Sequence, residues 1–254
     1  MLKKICLTFV LLIVTQAVLL AGNDILVTPP PIPWFEFNEK QFDLRVSASY
    51  ATIKGDDLDA RGGSIGFLGR YGVSNTIGWD FGFSYIGGGG SGGTDTNIEI
   101  HNWTLSTNIE IQPIVGRKSV NLILFLGLSV PLTLNTIWVG STTVEAFSVM
   151  YGPQFGMQLS LGLGPIEFNP FVKIQVITGS YSSTTWTSSD TRYRDGDIET
   201  FTIPVVGFDL IFKSINLTLS SLLQFSQSED KHETVLFSAS YTFHWDNKSD
   251  SVKQ

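Results

Sequence analysis

Asp57-Leu58-Asp59, Asp195-Gly196-Asp197 and Asp230-Lys231-His232 are the residues whose types and spacing could do chemistry. Two carboxylates close together, or a carboxylate beside an imidazole, can activate a water by general base catalysis. The match is short acidic spacing only, and acidic surface loops are ordinary. Past residue 21 the histidines are His101, His232 and His244, none of them in a recognisable motif for a serine–histidine hydrolase. Gly87-Gly88-Gly89-Gly90-Ser91-Gly92-Gly93 lacks the Lys-Ser/Thr ending of a phosphate loop, and no helix follows it. It reads as a flexible surface loop. No Cys/His cluster has metal-site spacing. The sequence thus assigns no catalytic residue, metal or cofactor, and the chain is not read as an enzyme.

The elements that would position these groups are strands. From Thr76 to Ile86, Ile77, Trp79, Phe81, Phe83 and Tyr85 share one face, and Gly78, Asp80, Gly82 and Ser84 share the other. Phe147 to Leu163 repeats the alternation. Applied along the chain, the pattern predicts about ten strands near 42–54, 61–73, 76–86, 97–112, 119–134, 146–163, 166–181, 199–212, 215–226 and 233–245, with a bulge at His101-Asn102 where the alternation changes phase. The connections after the second, sixth and eighth strands are tight (Ser74-Asn75-Thr76, Gly164-Pro165, Lys213-Ser214), and the one around Pro113 to Lys118 is modest. The intervening ones, Gly55 to Ala60, Gly87 to Thr96, Asn135 to Glu145, Ser182 to Ile198 and Gln227 to His232, are longer and polar. Two-residue turns would set Leu163 against Ile166 and Phe212 against Ile215, and matching faces set Arg70 against Asp80.

The address precedes the fold. Lys3 and Lys4, the apolar run Cys6 to Leu20, and Ala21-Gly22 have the layout of a cleaved secretory signal, residues 1–21. Its removal takes the only cysteine, so the mature chain can form no disulfide. It also takes two lysines and no acid, moving the formal charge from −7 to −9. An acidic exported protein is a poor partner for nucleic acid, whose phosphates it would repel. Residues 22–40 form a Pro-rich lead-in, with Pro29-Pro30-Pro31-Ile32-Pro33 extended rather than helical. The barrel runs over 41–245, and 246–254 is a polar tail.

The apolar face faces lipid. Only 15% of residues are charged, too few to clothe a soluble exterior, and the other face is Gly, Ser, Thr, Asn and Gln. Aromatics gather at both strand ends: Phe42, Tyr71, Trp79, Phe212 and Trp245 on the turn side, Tyr50, Tyr85, Phe147 and Tyr151 on the loop side. The fold class is all-β, a transmembrane antiparallel up-and-down barrel. The strand Val235 to Trp245, with Phe237, Tyr241, Phe243 and Trp245, resembles the alternating aromatic signal by which outer-membrane barrels are recognised for assembly. With the period-two pattern it makes nearly the whole mature chain similar to the small outer-membrane barrels of Gram-negative bacteria. That resemblance implies residence in the outer membrane, with outer-membrane lipid and the barrel assembly machinery as partners. Among such barrels the omptin proteases are ten-stranded and use carboxylates with an Asp–His pair, which the acidic spacings above match only weakly. Asp24-Ile25-Leu26-Val27-Thr28 resembles the box by which much longer, plugged receptors meet an energy-coupling protein.

Inside such a barrel, Arg45, Arg70, Asp80, Glu110, Lys173 and Asp209 would point into the lumen, Lys173 near the middle and the rest toward the turn side. They form either a paired structural network or a constriction. Met150, Ile177, Phe201, Ile203, Leu222 and Leu236 would make the loop-side lumen apolar. The function expected is a structural barrel or a narrow channel for a small solute. The alternative is an adhesin or ligand-binding barrel acting through its outer loops, with Trp186, Tyr193 and two arginines in 182–198. An omptin-like hydrolase is the least favoured.

Overall fold

A computed structural model describes residues 38–54, 58–92, 96–113, 120–188, 190–225 and 233–246. The expected signal, the Pro-rich lead-in before Asn38 with its receptor-like box, and the tail from Asn247 lie outside these residues. So do Asp57, Asp230, Lys231 and His232.

The strands are β1 (Gln41–Lys54), β2 (Leu58–Gly72), β3 (Ile77–Gly92), β4 (Thr96–Ile111), β5 (Val120–Val139), β6 (Thr142–Leu163), β7 (Ile166–Trp186), β8 (Thr191–Phe212), β9 (Leu217–Phe225) and β10 (Glu233–Asp246). Each pairs antiparallel with its neighbours in sequence, and β1 pairs β10 to close the barrel. Closure removes the open edges that a sheet could not leave in hydrocarbon. The strand count is even, so the start of β1 and the end of β10 share the turn side, where Phe42 lies across from both Trp245 and Tyr71.

The faces fall as the alternation requires. Ile65, Phe67, Trp79, Phe81, Leu105, Leu126, Tyr151, Phe155, Phe237 and Phe243 are exposed on the outside. Polar and charged side chains on the same strands, among them Asp43, Arg70, Asn108, Glu110, Gln154 and Lys173, are buried inside. A surface of this kind is stable against lipid rather than water. On the turn side Trp245 stacks with Phe243 at 5.9 Å and leans on Phe42 at 5.7 Å.

Three expectations are corrected. First, the outer connections that fall on described residues are largely strand, while Gln227 to His232 lies outside them. β5 and β6 meet at the tight turn Gly140-Ser141, and β7 and β8 run on to the turn Thr187–Asp190, with Thr187 N bonded to Asp190 O at 2.9 Å. Polar Thr- and Ser-rich sequence outside lipid keeps its ladder bonds without an apolar face to betray it. Gly87 to Gly92 likewise form the end of β3, not a loop, and Gly93 lies outside the described residues. At Gly88 an added Cβ would stand 2.3 Å from Arg61 O and 2.6 Å from Gly62 Cα, so β2 and β3 approach there only because both lack side chains.

Second, β4 has no bulge at His101-Asn102; its pairing with β3 and β5 is continuous there. The phase change in the sequence arises because Ile98 and Ile100 are apolar on the inside, where they pack with Ile53 and Ala60. The irregularity lies in β8, where Glu199 and Thr200 together oppose Thr178 between the pairs Ile177–Phe201 and Gly179–Ile198.

Third, Leu163 faces Ile166 as expected, but Phe212 faces Leu217, not Ile215. A 3-10 turn over Lys213–Ile215 and a left-handed Asn216 (φ 52°) lengthen that connection. Asn is among the few residues that accept this conformation at low cost.

Candidate functional site: the lumen

All six charged positions expected in the lumen are buried inside the barrel, and most join two clusters. In the first, Arg70 donates from Nη2 to Asp43 Oδ2 at 2.8 Å and from Nη1 to Glu110 Oε2 at 3.5 Å. Asp43 Oδ1 also lies 2.7 Å from His244 Nδ1 and accepts from Gln41 Nε2 at 2.7 Å. In the second, Arg45 stands 3.6 Å from Asp209 and donates to Ser240 Oγ at 2.7 Å and Ser220 Oγ at 3.4 Å. Asp80 accepts two bonds from Asn108 Nδ2, at 2.8 and 3.0 Å. From there an amide chain continues: Gln154 Nε2 to Asn108 Oδ1 at 2.7 Å, and Gln175 Nε2 to Gln154 Oε1 at 3.3 Å.

Lys173 belongs to neither cluster. It is 1% exposed, and its Nζ makes no hydrogen bond among the described residues. It faces Gly156 on β6 and Val205 on β8, within the wall that carries the amide chain.

The six apolar positions also come together. Met150, Ile177, Phe201, Ile203, Leu222 and Leu236 form one buried cluster with Ala51, Ile86, Phe125, Phe171 and Val205. These residues come from eight of the ten strands, so apolar side chains from most of the wall meet inside the barrel. Two phenylalanines lie over glycines on the next strand. A Cβ at Gly156 would meet the Phe125 ring at 2.5 Å, and one at Gly207 would meet the Phe171 ring at 2.5 Å. The bare glycine backbone is what leaves room for the tip of each ring.

The sequence reading missed Asp43, Gln41 and His244, although Asp43 shares strand and parity with Arg45. It also missed Phe125, Phe171 and Val205. Each stands in a run that is apolar on both faces, so alternation does not single it out.

The acidic groups considered for chemistry do not assemble among the described residues. Asp59 is exposed beside Arg61, with 3.8 Å between Oδ1 and Nε. Asp195 and Asp197 are exposed on β8, across from Ser182 and Ser180. None of the three bonds a histidine among the described residues. His101 is half-buried between Tyr85 (2.8 Å) and Glu99 (3.1 Å). Its ring stacks with Trp103 at 6.1 Å, within the loop-side aromatic belt. No group of three His, Cys, Asp or Glu among the described residues could hold a metal ion.

No protein-family model matches this chain, and no curated protein matches it. Solved structures do. The outer membrane protease OmpT from Escherichia coli is 10% identical, covers 82% of this chain and 99% of its own, and superposes with a TM-score of 0.57. The outer membrane protein OprG from Pseudomonas aeruginosa is 13% identical, covers 83% of this chain and 99% of its own, with a TM-score of 0.43. A closed ten-strand antiparallel wall, apolar outside and polar inside, gives this chain the fold of the small Gram-negative outer-membrane β-barrels.

Proposed function

We propose that this barrel of the outer membrane is closed by its own side chains and acts through the sheet it raises beyond the membrane. The observation that carries the reading is the apolar cluster inside the lumen, drawn from eight strands, together with the charge clusters beside it. A solute passing through would have to part both. Meanwhile β5 to β8 are 20 to 22 residues long against 14 to 16 for β1 to β4, and their loop-side ends pair in line, Val139 with Thr142, Thr143 with Trp186 and Trp186 with Thr191, with Val139 also paired to Thr96 on β4. β8 pairs β9 only over Val205–Phe212, which leaves its outer half as one margin of that sheet. The margin carries Arg192, Arg194, Asp195, Asp197 and Glu199, a charge density that discourages strand-to-strand aggregation. Tyr193 is 79% exposed on β8, and Trp186 on β7 and Trp138 on β5 are each 36% exposed near the loop-side strand ends. Aromatic and Arg side chains on a rigid surface are the usual anchors of protein recognition.

The test is retention of cells displaying the chain on an immobilised panel of extracellular proteins. Changing Trp186, Arg192, Tyr193 and Arg194 to Ser should cut retention severalfold with the barrel still folded. Equal retention would sink the reading.

A second reading, a narrow passage for a small solute, is supported by polar atoms buried in the lumen without hydrogen-bond partners among the described residues, including Lys173 Nζ, Gln175 Oε1 and Gln224 Oε1. Steady single-channel steps from the refolded chain in planar bilayers would favour the passage. A silent, folded barrel would favour the closed scaffold.

A further inference from the structure

The turn-side mouth contains a cavity of about 450 Å³ that neither reading uses. Its size falls within the ~300–1,000 Å³ typical of small-molecule pockets. It lies inside β7 to β10 and the start of β1, at the opposite end of the barrel from the outer sheet. Arg45, held by Asp209 and Ser240, stands across from the lining residue Thr242 in the β1–β10 register.

The chemistry of the lining is polar and locally neutral. Glu167 is ion-paired with Lys213 and also bonded by Ser160. His244 is engaged by Asp43. The groups offered to an occupant are therefore an amide and hydroxyls, Asn216, Thr218 and Thr242, beside Asn38 and Gln41, which bond each other, Gln41 also bonding Asp43. Thr242 is 2% exposed, and its Oγ1 has no hydrogen-bond partner among the described residues. A buried hydroxyl without a partner is costly, and a bound polar molecule would relieve it. Ile211, packed on Leu68, supplies one apolar surface in the same lining.

We propose that this vestibule binds a neutral saccharide. A sugar ring presents hydroxyls that both donate and accept, which is what amides and threonines match. Its C–H face suits a single aliphatic contact such as Ile211. An ion would find no net charge to meet, because both carboxylates at the site already have cationic or imidazole partners. The occupant is either a free sugar or the end unit of a glycan chain.

The experiment is saturation-transfer NMR on the refolded chain in detergent, with chitobiose and maltose as probes and acetate and methylammonium as charged controls. Saturable binding of a disaccharide is expected. Thr242→Val removes the hydroxyl without changing shape. Asn216→Gly removes the amide and keeps the left-handed backbone. Each should weaken binding about three- to tenfold, the effect of one hydrogen bond. The heat-dependent gel shift of the folded barrel should be unchanged in both. Co-sedimentation with insoluble peptidoglycan, competed by chitobiose, would identify a glycan end as the source; disaccharide binding without it would identify a free sugar. The proposal is overturned if no disaccharide saturates, if both folded variants bind like the parent, or if either charged control displaces the sugars.

Discussion

Arg70 stands directly across from Asp80 in the β2–β3 register, yet its guanidinium bonds Asp43 on β1 and Glu110 on β4 instead. Asp80 is satisfied by the Asn108 amide. One cation thus holds two acids from the strands flanking its own hairpin, and it ties together β1, β2 and β4.

Removing that cation should therefore be expensive. Arg70→Met leaves Asp43 and Glu110 buried without their shared partner, and breaking a buried pair in this way costs about 3–5 kcal/mol. Asp80→Asn should cost far less, because no cation among the described residues is bonded to it. Urea unfolding of the chain in lipid vesicles would compare the two. Equal midpoints would show that Arg70 does not organise the cluster.

The apolar cluster makes a second, separable prediction. Phe125→Ala and Phe171→Ala each delete a ring that spans from one strand to a glycine on the next. The cost should be about 3–5 kcal/mol apiece, as for other buried phenylalanines. The double variant, if folded, should also open the lumen. Planar-bilayer recordings should then show current steps that the parent chain lacks; silence from a folded double variant would place the barrier in the charge clusters.

How much of this was legible in the sequence depends on which residues had to announce themselves. Trp79, Phe81 and Phe83 alternate with Gly and Ser because lipid tolerates nothing else outside, so the strands and their closure followed. Arg70 and Asp80 stood out as charges on the quiet face of those strands. Their partners did not, because the register says which residues are opposite and not where a long side chain reaches. Phe125 was hidden among Leu122, Leu124, Leu126 and Leu128, an apolar stretch with both faces alike. Ile98 and Ile100 imitated a slipped strand because the interior turns apolar there. Thr184 to Asp195 gave no strand signal, since outside the membrane neither face needs to be apolar.

Lys173 should behave opposite to Arg70. Its amine is buried and has no hydrogen-bond partner among the described residues, so the native state carries its desolvation without a compensating bond. Lys173→Met keeps the length and removes the charge. The variant should be as stable as the parent or more so, by up to about 1–4 kcal/mol, the range seen when buried ionic groups give way to apolar ones. A lowered urea midpoint would mean that the amine is held by groups the hydrogen-bond pattern does not reveal, ordered water among them.

The outside of the wall can be tested on Leu126 and Gly127, neighbours in β5 that face opposite ways. Leu126 is 62% exposed on the outer face. Leu126→Arg would place a charge in hydrocarbon, at about 2–4 kcal/mol near the bilayer midplane and less toward the interface. At Gly127, even a Cβ would come within 1.9 Å of Thr107 O and 2.3 Å of Asn108 Oδ1. Gly127→Ala should therefore also destabilise, through crowding rather than solvation. The two mechanisms separate on changing the lipid. Thinner bilayers move Leu126 toward the interface and should soften the arginine's cost, while the alanine's cost, set within the wall, should stay fixed. Parallel responses of both variants to bilayer thickness would contradict the assignment of Leu126 to the lipid face.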